Sequence, residues 1–116
     1  MNAHDAGQYG ENTAAAFLQN LGYTILERNY HSRYGEIDLI AKDGDTVVFA
    51  EVKCRRDAAF AQAAEAVGPS KQTKLRKTAL FWFAEHGECP ARFDVIEVYT
   101  GAARQNVEVR HIPNAF

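Results

Sequence analysis

Cysteine is scarce: Cys54 and Cys89 are the chain's whole complement. Two are too few for a disulfide framework, and they lack the spacing of zinc ligands. Long apolar runs are missing as well. The longest, Ala79 to Ala84, falls far short of the roughly 18 residues of a membrane span and is expected to be buried helix. The first fifteen residues hold no apolar stretch of a secretory leader, so a cytoplasmic protein with no membrane partner is expected. There is no glycine-rich phosphate loop, no Gly-x-Ser-x-Gly and no Cys/His nucleophile pattern. His4, His31, His86 and His111 share no ligand or base spacing and are read as structural or surface groups. No repeat, low-complexity tract or linker divides the 116 residues, and 1–116 reads as one domain.

Charge of one sign is also lacking overall. The net charge is −2 with a pI near 6.1, which by itself speaks against a nucleic-acid partner. That average conceals an asymmetry. From Lys53 to Lys77 seven basic residues stand against Asp57 and Glu65, a net of +5, while the remainder is −7. A basic block on an acidic protein is a local electrostatic footprint, and it governs an anion's approach more than the pI does. Arg55, Arg56, Lys71, Lys74 and Lys77 are thus the candidate nucleic-acid contacts. A solvated helix face is the plainer interpretation, and the count alone does not separate the two.

What is present falls into periodic segments. Ala14, Phe17, Leu18 and Leu21 recur at helical spacing and predict an N-terminal helix stopped by Gly22. Alternation over Tyr23–Tyr30 predicts a strand, and His31–Gly35 a polar turn. Glu36–Lys42 and Thr46–Cys54 predict two strands around Asp43-Gly44-Asp45, a strong hairpin signal. Phe60–Val67 is Ala-rich, helix-compatible and closed by Gly68-Pro69. Ser70 is placed to cap a second long helix running to Gly87, with Leu75, Ala79, Trp82 and Phe83 buried. Arg92–Tyr99 predicts a fourth strand and Val107–Ile112 an edge strand. The order α-βββ-α-β-β makes an α/β fold, a mixed central sheet flanked by helices. Its helical crossover before Arg92 permits a parallel pairing.

The chemistry concentrates in Gly35-Glu36-Ile37-Asp38-Leu39-Ile40 and Val48-Phe49-Ala50-Glu51-Val52-Lys53. Alternate residues of a strand share a face, so Glu51 and Lys53 point together, as do Glu36 and Asp38. A hairpin loop of two or four residues puts Asp38 beside Glu51 on one face, the four-residue version directly opposite; an odd loop separates them. Two adjacent carboxylates repel by roughly 4 kcal/mol at about 4 Å and an effective dielectric near 20. Such a pair on apolar central strands is expensive unless a cation joins it. Oxygen ligands favour Mg²⁺ or Mn²⁺. Lys53 would then position or deprotonate a water, or neutralise a phosphate. Glu11 lies on the apolar face of the first helix, either as a dipole partner of the helix start or as a further site carboxylate. Taken alone, this spacing also fits an exposed hairpin bearing ordinary charges.

Gly10-Glu11, Gly22-Tyr23, Arg28-Asn29, Gly35 to Ile40, Phe49 to Lys53, Arg55, Glu65-Ala66-Val67, Lys71 and Arg92-Phe93-Asp94 together resemble the YraN family of small bacterial proteins. The resemblance runs from Gly7 to about Val98. It implies a restriction-endonuclease-like fold with a PD-(D/E)xK nuclease core, distantly related to archaeal Holliday junction resolvases. By it Asp38 and Glu51 are metal ligands with the Val52 carbonyl, Lys53 is the catalytic lysine and Glu11 an extra carboxylate. Lys71 falls near a supporting polar position.

The expectation is therefore a Mg²⁺- or Mn²⁺-dependent phosphodiesterase acting on nucleic acid, DNA in the first place, branched or flapped forms included. A homodimer is expected if the substrate is a symmetric junction. The rivals are a nucleic-acid-binding module with little catalysis and a protein-interaction domain whose charged hairpin is structural.

Overall fold

A computed structural model of the chain describes residues 3–55, 67–101 and 107–116, with side chains from Gly7 onward. Arg56 and positions 60–66 of the expected Ala-rich helix lie outside the described residues. The element order is α1 (Ala3–Asn20), β1 (Thr24–Ser32), β2 (Gly35–Asp43), β3 (Thr46–Arg55), α2 (Pro69–His86), β4 (Ala91–Tyr99) and β5 (Glu108–Ile112). This is the α-βββ-α-β-β order that the periodicities predict. The strands lie side by side in chain order, β3 and β4 parallel and the other pairs antiparallel. The crossover that a parallel pair requires contains α2.

Each helix covers one face. On one side α1 packs Ala14, Ala15 and Leu18 on Leu39, Ala41, Val48, Ala50, Ile96 and Val98. On the other, α2 packs Leu75, Ala79 and Trp82 on Ile40, Val47, Phe49 and Val95. Burial on both faces explains why β4 shows only weak alternation, since every residue from Asp94 to Tyr99 is buried.

Three expectations are corrected. Ser70 does not cap α2: the N-cap is Gly68, without a side-chain bond, and Pro69 occupies the first turn. Proline's fixed φ and missing N–H suit that position, so the helix begins before Ser70. The run Ala79–Ala84 is not buried throughout, because among the described residues α2 is covered on one side only. Leu80 and Phe81 are exposed and Phe83 half-buried. The polar turn expected at His31–Gly35 shrinks to Arg33-Tyr34, with Ser32 already paired to Gly35.

The β2–β3 hairpin turns on Gly44-Asp45, with Gly44 at φ 61 in the first central position, as a type II′ turn requires. Pairing runs from Asp43↔Thr46 to Leu39↔Ala50. This two-residue turn has the register expected of the four-residue loop, since both are centred between Gly44 and Asp45. Extended by one step, this register would set Asp38 opposite Glu51.

Candidate active site

That next step is where the ladder stops. Beyond Leu39↔Ala50 the strands part, and the Asp38 carboxylate Oδ2 accepts the Val52 N–H at 2.8 Å in place of a backbone carbonyl. Within an antiparallel strand the N–H and C=O of one residue point the same way, so the Val52 carbonyl also looks toward Asp38. The parting has a visible cause. Leu39 belongs to the α1-side cluster and Ile37 to the α2-side cluster, although two residues apart they should share a face. In the neighbouring strand Arg28 meets α1 through Glu11, whereas Tyr30 reaches Glu85 of α2. Both strands change face between these residues, at Asp38 and at Asn29, whose φ is 53. Asn is among the few residues that tolerate this left-handed region. Strict alternation, on which the face argument for Asp38 rests, is thus broken at Asp38 itself.

Electrostatically, Asp38 is under stress. Burial and then the charge of Glu51 push its pKa from the ordinary 3.8 up to about 7, Glu36 and Glu11 adding to the shift and the Val52 N–H opposing it. Glu51, itself buried, is held from the other side. Lys71 Nζ lies 2.6 Å and Lys53 Nζ 3.4 Å from its Oε1. The two lysines differ. Burial and the adjacent Lys71 hold Lys53 below the usual lysine range. Burial also works against Lys71, but the Glu51 bond and charge outweigh it and raise its pKa.

Glu11 does reach the sheet. Its Oε1 accepts Asn29 Nδ2 at 3.0 Å and lies 3.5 Å from Arg28 Nε. Gly10 makes this approach feasible, because a Cβ there would stand 2.8 Å from the Cys54 Cβ on β3. A cavity of about 600 Å³ opens between α1 and the parted strands. Glu11, Glu36, Asp38 and Val52 line it together with Arg28, Asn29 and His31.

The basic block is divided. Arg55 Nε bonds the fully buried Glu97 Oε2 at 3.1 Å, and Lys71 holds Glu51, so both already serve carboxylates. Lys74 and Lys77 face solvent. The Lys71–Glu51 pair, Asn29 and the lining role of Glu36 went unread in the sequence. Asn29 and Lys71 stood among the motif residues, but their contacts cross the fold and leave no local periodicity.

Among the described residues no three of His, Cys, Asp and Glu converge as a ready-made metal set. The donors on offer are two carboxylates and the Val52 carbonyl. Mg²⁺ commonly takes one or two carboxylates and fills the rest with water and substrate oxygens, so these residues fit it.

Comparison with known proteins gives the chain a family. The profile described as "Uncharacterised protein family UPF0102" matches residues 10–98. A UPF0102 protein of Caldicellulosiruptor saccharolyticus is 41% identical over 118 residues, covering 100% of both chains. One of Clostridium botulinum is 44% identical over 97% of this chain and 94% of its own. One of Syntrophus aciditrophicus is 50% identical over 79% and 74%. The matched span runs from Gly10 beside Glu11, through Asp38, Glu51, Lys53 and Lys71, to Val98, and the chain belongs to the UPF0102 family.

Proposed function

We propose that this chain is a divalent-metal-dependent phosphodiesterase of PD-(D/E)xK type acting on nucleic acid, with DNA, branched or flapped forms included, as the expected substrate. The observation that carries the reading is Asp38 at the parted strands: a buried carboxylate pushed up to about 7 by burial and the charge of Glu51, and bonded to the Val52 N–H. A protein gains nothing in folding from such a group, and perturbed carboxylates of this kind collect at functional sites. Asp38, Glu51 and the Val52 carbonyl would hold Mg²⁺ or Mn²⁺, which supplies Lewis-acid polarisation of a phosphoryl oxygen and a more acidic water. Lys53, 3.4 Å from Glu51, would orient the attacking water and accept or return its proton. Lys71 steadies Glu51 and offers its remaining N–H donors to a phosphate. Glu11, from α1, lines one cavity with Asp38 and Val52.

One observation favours a second reading, a nucleic-acid-binding module without catalysis. Glu51 is already matched by two ammonium groups, at 2.6 and 3.4 Å, and on that reading the cluster is complete without a metal. The deciding experiment is a cleavage panel of single-stranded, duplex, flap and four-way DNA with Mg²⁺ or Mn²⁺, beside Glu51→Ala as contamination control. Metal-dependent cutting by the wild type alone is expected. Equal cutting by both proteins, or by neither, would end the phosphodiesterase reading.

A further inference from the structure

Along the outer side of α2 lies a groove of about 350 Å³ lined by Tyr34, Lys77, Leu80, Phe81 and Ala84. It shares no lining residue with the cavity at Asp38. Tyr34, Phe81 and Leu80 are 36%, 40% and 63% exposed, and the two rings lie 5.9 Å apart, tilted by 33°. Contiguous apolar side chains this open mark an interaction surface, which isolated ones do not. Two cations lie over the Tyr34 ring, and the acidic Glu85, one turn on from Phe81, is engaged by Tyr30. Lys77 Nζ stands 4.9 Å and the Arg33 guanidinium 5.3 Å from the centre of the Tyr34 ring. A second copy docked here across a two-fold axis would set these cations against their own images, which disfavours self-association. An anionic partner with flat apolar faces suits the patch, and unpaired nucleotides have both properties, since every base offers a π-face and carries a phosphate.

We infer that Tyr34 and Phe81, flanked by Lys77 and Arg33, form a stacking platform for unpaired bases of a nucleic-acid strand that continues along α2 to Glu51 and Lys53. The inference rests on the proposed nuclease reading and narrows its substrate class to nucleic acid containing a single-stranded segment. Lys71, Lys74 and Phe81 lie at spacings that share one side of α2. Helical rise puts about 15 Å between Lys71, which touches Glu51, and Phe81. A strand seated on the rings therefore reaches the carboxylates within a few nucleotides, and Lys74 meets its phosphates on the way.

The test is anisotropy of a fluorescein-labelled oligothymidylate of about 15 nucleotides and of a blunt duplex, each with the full chain in EDTA so that nothing is cut. Tyr34→Ala/Phe81→Ala should weaken oligothymidylate binding about 10- to 100-fold. Duplex affinity should hold, and so should the salt slope, since no cation is removed. Tyr34→Leu/Phe81→Leu, which keeps apolar bulk without rings, should lose as much; full binding by it would overturn stacking. Unchanged oligothymidylate affinity in the Ala variant would overturn the proposal outright. So would a wild-type dimer that sediments as a monomer once the rings are gone, because the patch would then join copies. Should the Ala double variant unfold, Tyr34→Ala alone, at the hairpin turn, carries the same comparison. Ring-dependent binding without any metal-dependent cleavage would remove the nuclease reading and leave the platform. Duplex cleavage with ring-independent binding would do the reverse.

Discussion

Two aspartates of the central sheet are held in opposite ways. Asp94, fully buried on β4, lies 3.0 and 3.3 Å from Arg92 Nε and 2.7 Å from His111 Nε2, and accepts the Asn114 N–H at 2.9 Å. Burial works to raise its pKa, but these partners prevail and hold it below the usual carboxylate range. Asp38 has the Val52 N–H against burial and the like charges of Glu51, Glu36 and Glu11, and stands at about 7. The first is a structural charge. Through Arg92 it also binds Asp43 and Tyr23, at 3.2 and 2.8 Å, tying β5 and both hairpin ends together. The second costs the resting fold stability and is relieved only by a proton or a cation. Burial alone does not tell a structural carboxylate from a working one; the sign of its surroundings does.

The largest expected effects break one end and leave the other intact. Lys53→Ala should lower the cleavage rate by about 10²- to 10⁴-fold. Calorimetric Mg²⁺ affinity should persist or tighten slightly, since a charged lysine offers no lone pair to a metal. Asp38→Ala and Glu51→Ala should lose metal and cleavage together. Cleavage by Lys53→Ala at the wild-type rate would make that lysine structural. At the other end, Asp94→Asn should cost about 1.5–3 kcal/mol in denaturant unfolding, because Arg92 keeps only Asp43 of its two carboxylates and His111 loses a charged acceptor. Metal affinity of the surviving folded protein should not change. A cost below about 1 kcal/mol would place Asp94 outside the structural class.

Asp38→Asn tests the contrast with the opposite sign. Between the unfolded value near 3.8 and the folded value of about 7, the folded state holds a proton that the unfolded state has released. Wild-type stability should therefore fall as pH rises from about 4 to about 7, and level off above. Asparagine has no such proton and keeps an oxygen for the Val52 N–H. At pH 8 the variant should be more stable by about 1–3 kcal/mol, a gain that vanishes near pH 4. It should also be inactive. Parallel stability profiles for the two proteins would mean that Asp38 titrates normally.

Much of this was legible in the sequence, for physical reasons that differ by region. Glu51 and Lys53 share a face by strand parity, and the Gly44 turn fixes the register of β2 on β3 as far as Leu39 and Ala50. Periodicity also gave the two helices and the order of the strands. It could not give the change of face at Asp38, because that depends on Asn29 adopting φ 53 in a neighbouring strand. Nor did it give Lys71 on Glu51, a contact across 20 positions in which a phosphate role and a carboxylate role look alike. Ser70 misled because a capping residue was present, while Pro69 just before it set the start of α2.

The smallest expected effect concerns how α1 comes close at the Asp38 end. An added Cβ at Gly10 would meet the Cys54 Cβ at 2.8 Å and its Sγ at 3.2 Å, whereas one at Gly7, a turn earlier, would meet nothing within 4 Å. Both glycines lie in α1, so Gly→Ala should gain about 0.5–1 kcal/mol from backbone entropy at either. At Gly7 nothing opposes that gain. At Gly10 overpacking of about 1–3 kcal/mol does, leaving a net loss of at most ~2.5 kcal/mol. A cost in function should accompany it. Glu11 moves with the helix, stretching the 3.0 Å bond from Asn29 and the Arg28 pair at 3.5 Å that fix it on the cavity wall. Cleavage by Gly10→Ala should drop about tenfold, as misplacement of a positioned group commonly costs. Gly7→Ala should cut at the wild-type rate and melt slightly higher. Were the two variants to match in both respects, close approach of α1 to β3 would not be what places Glu11.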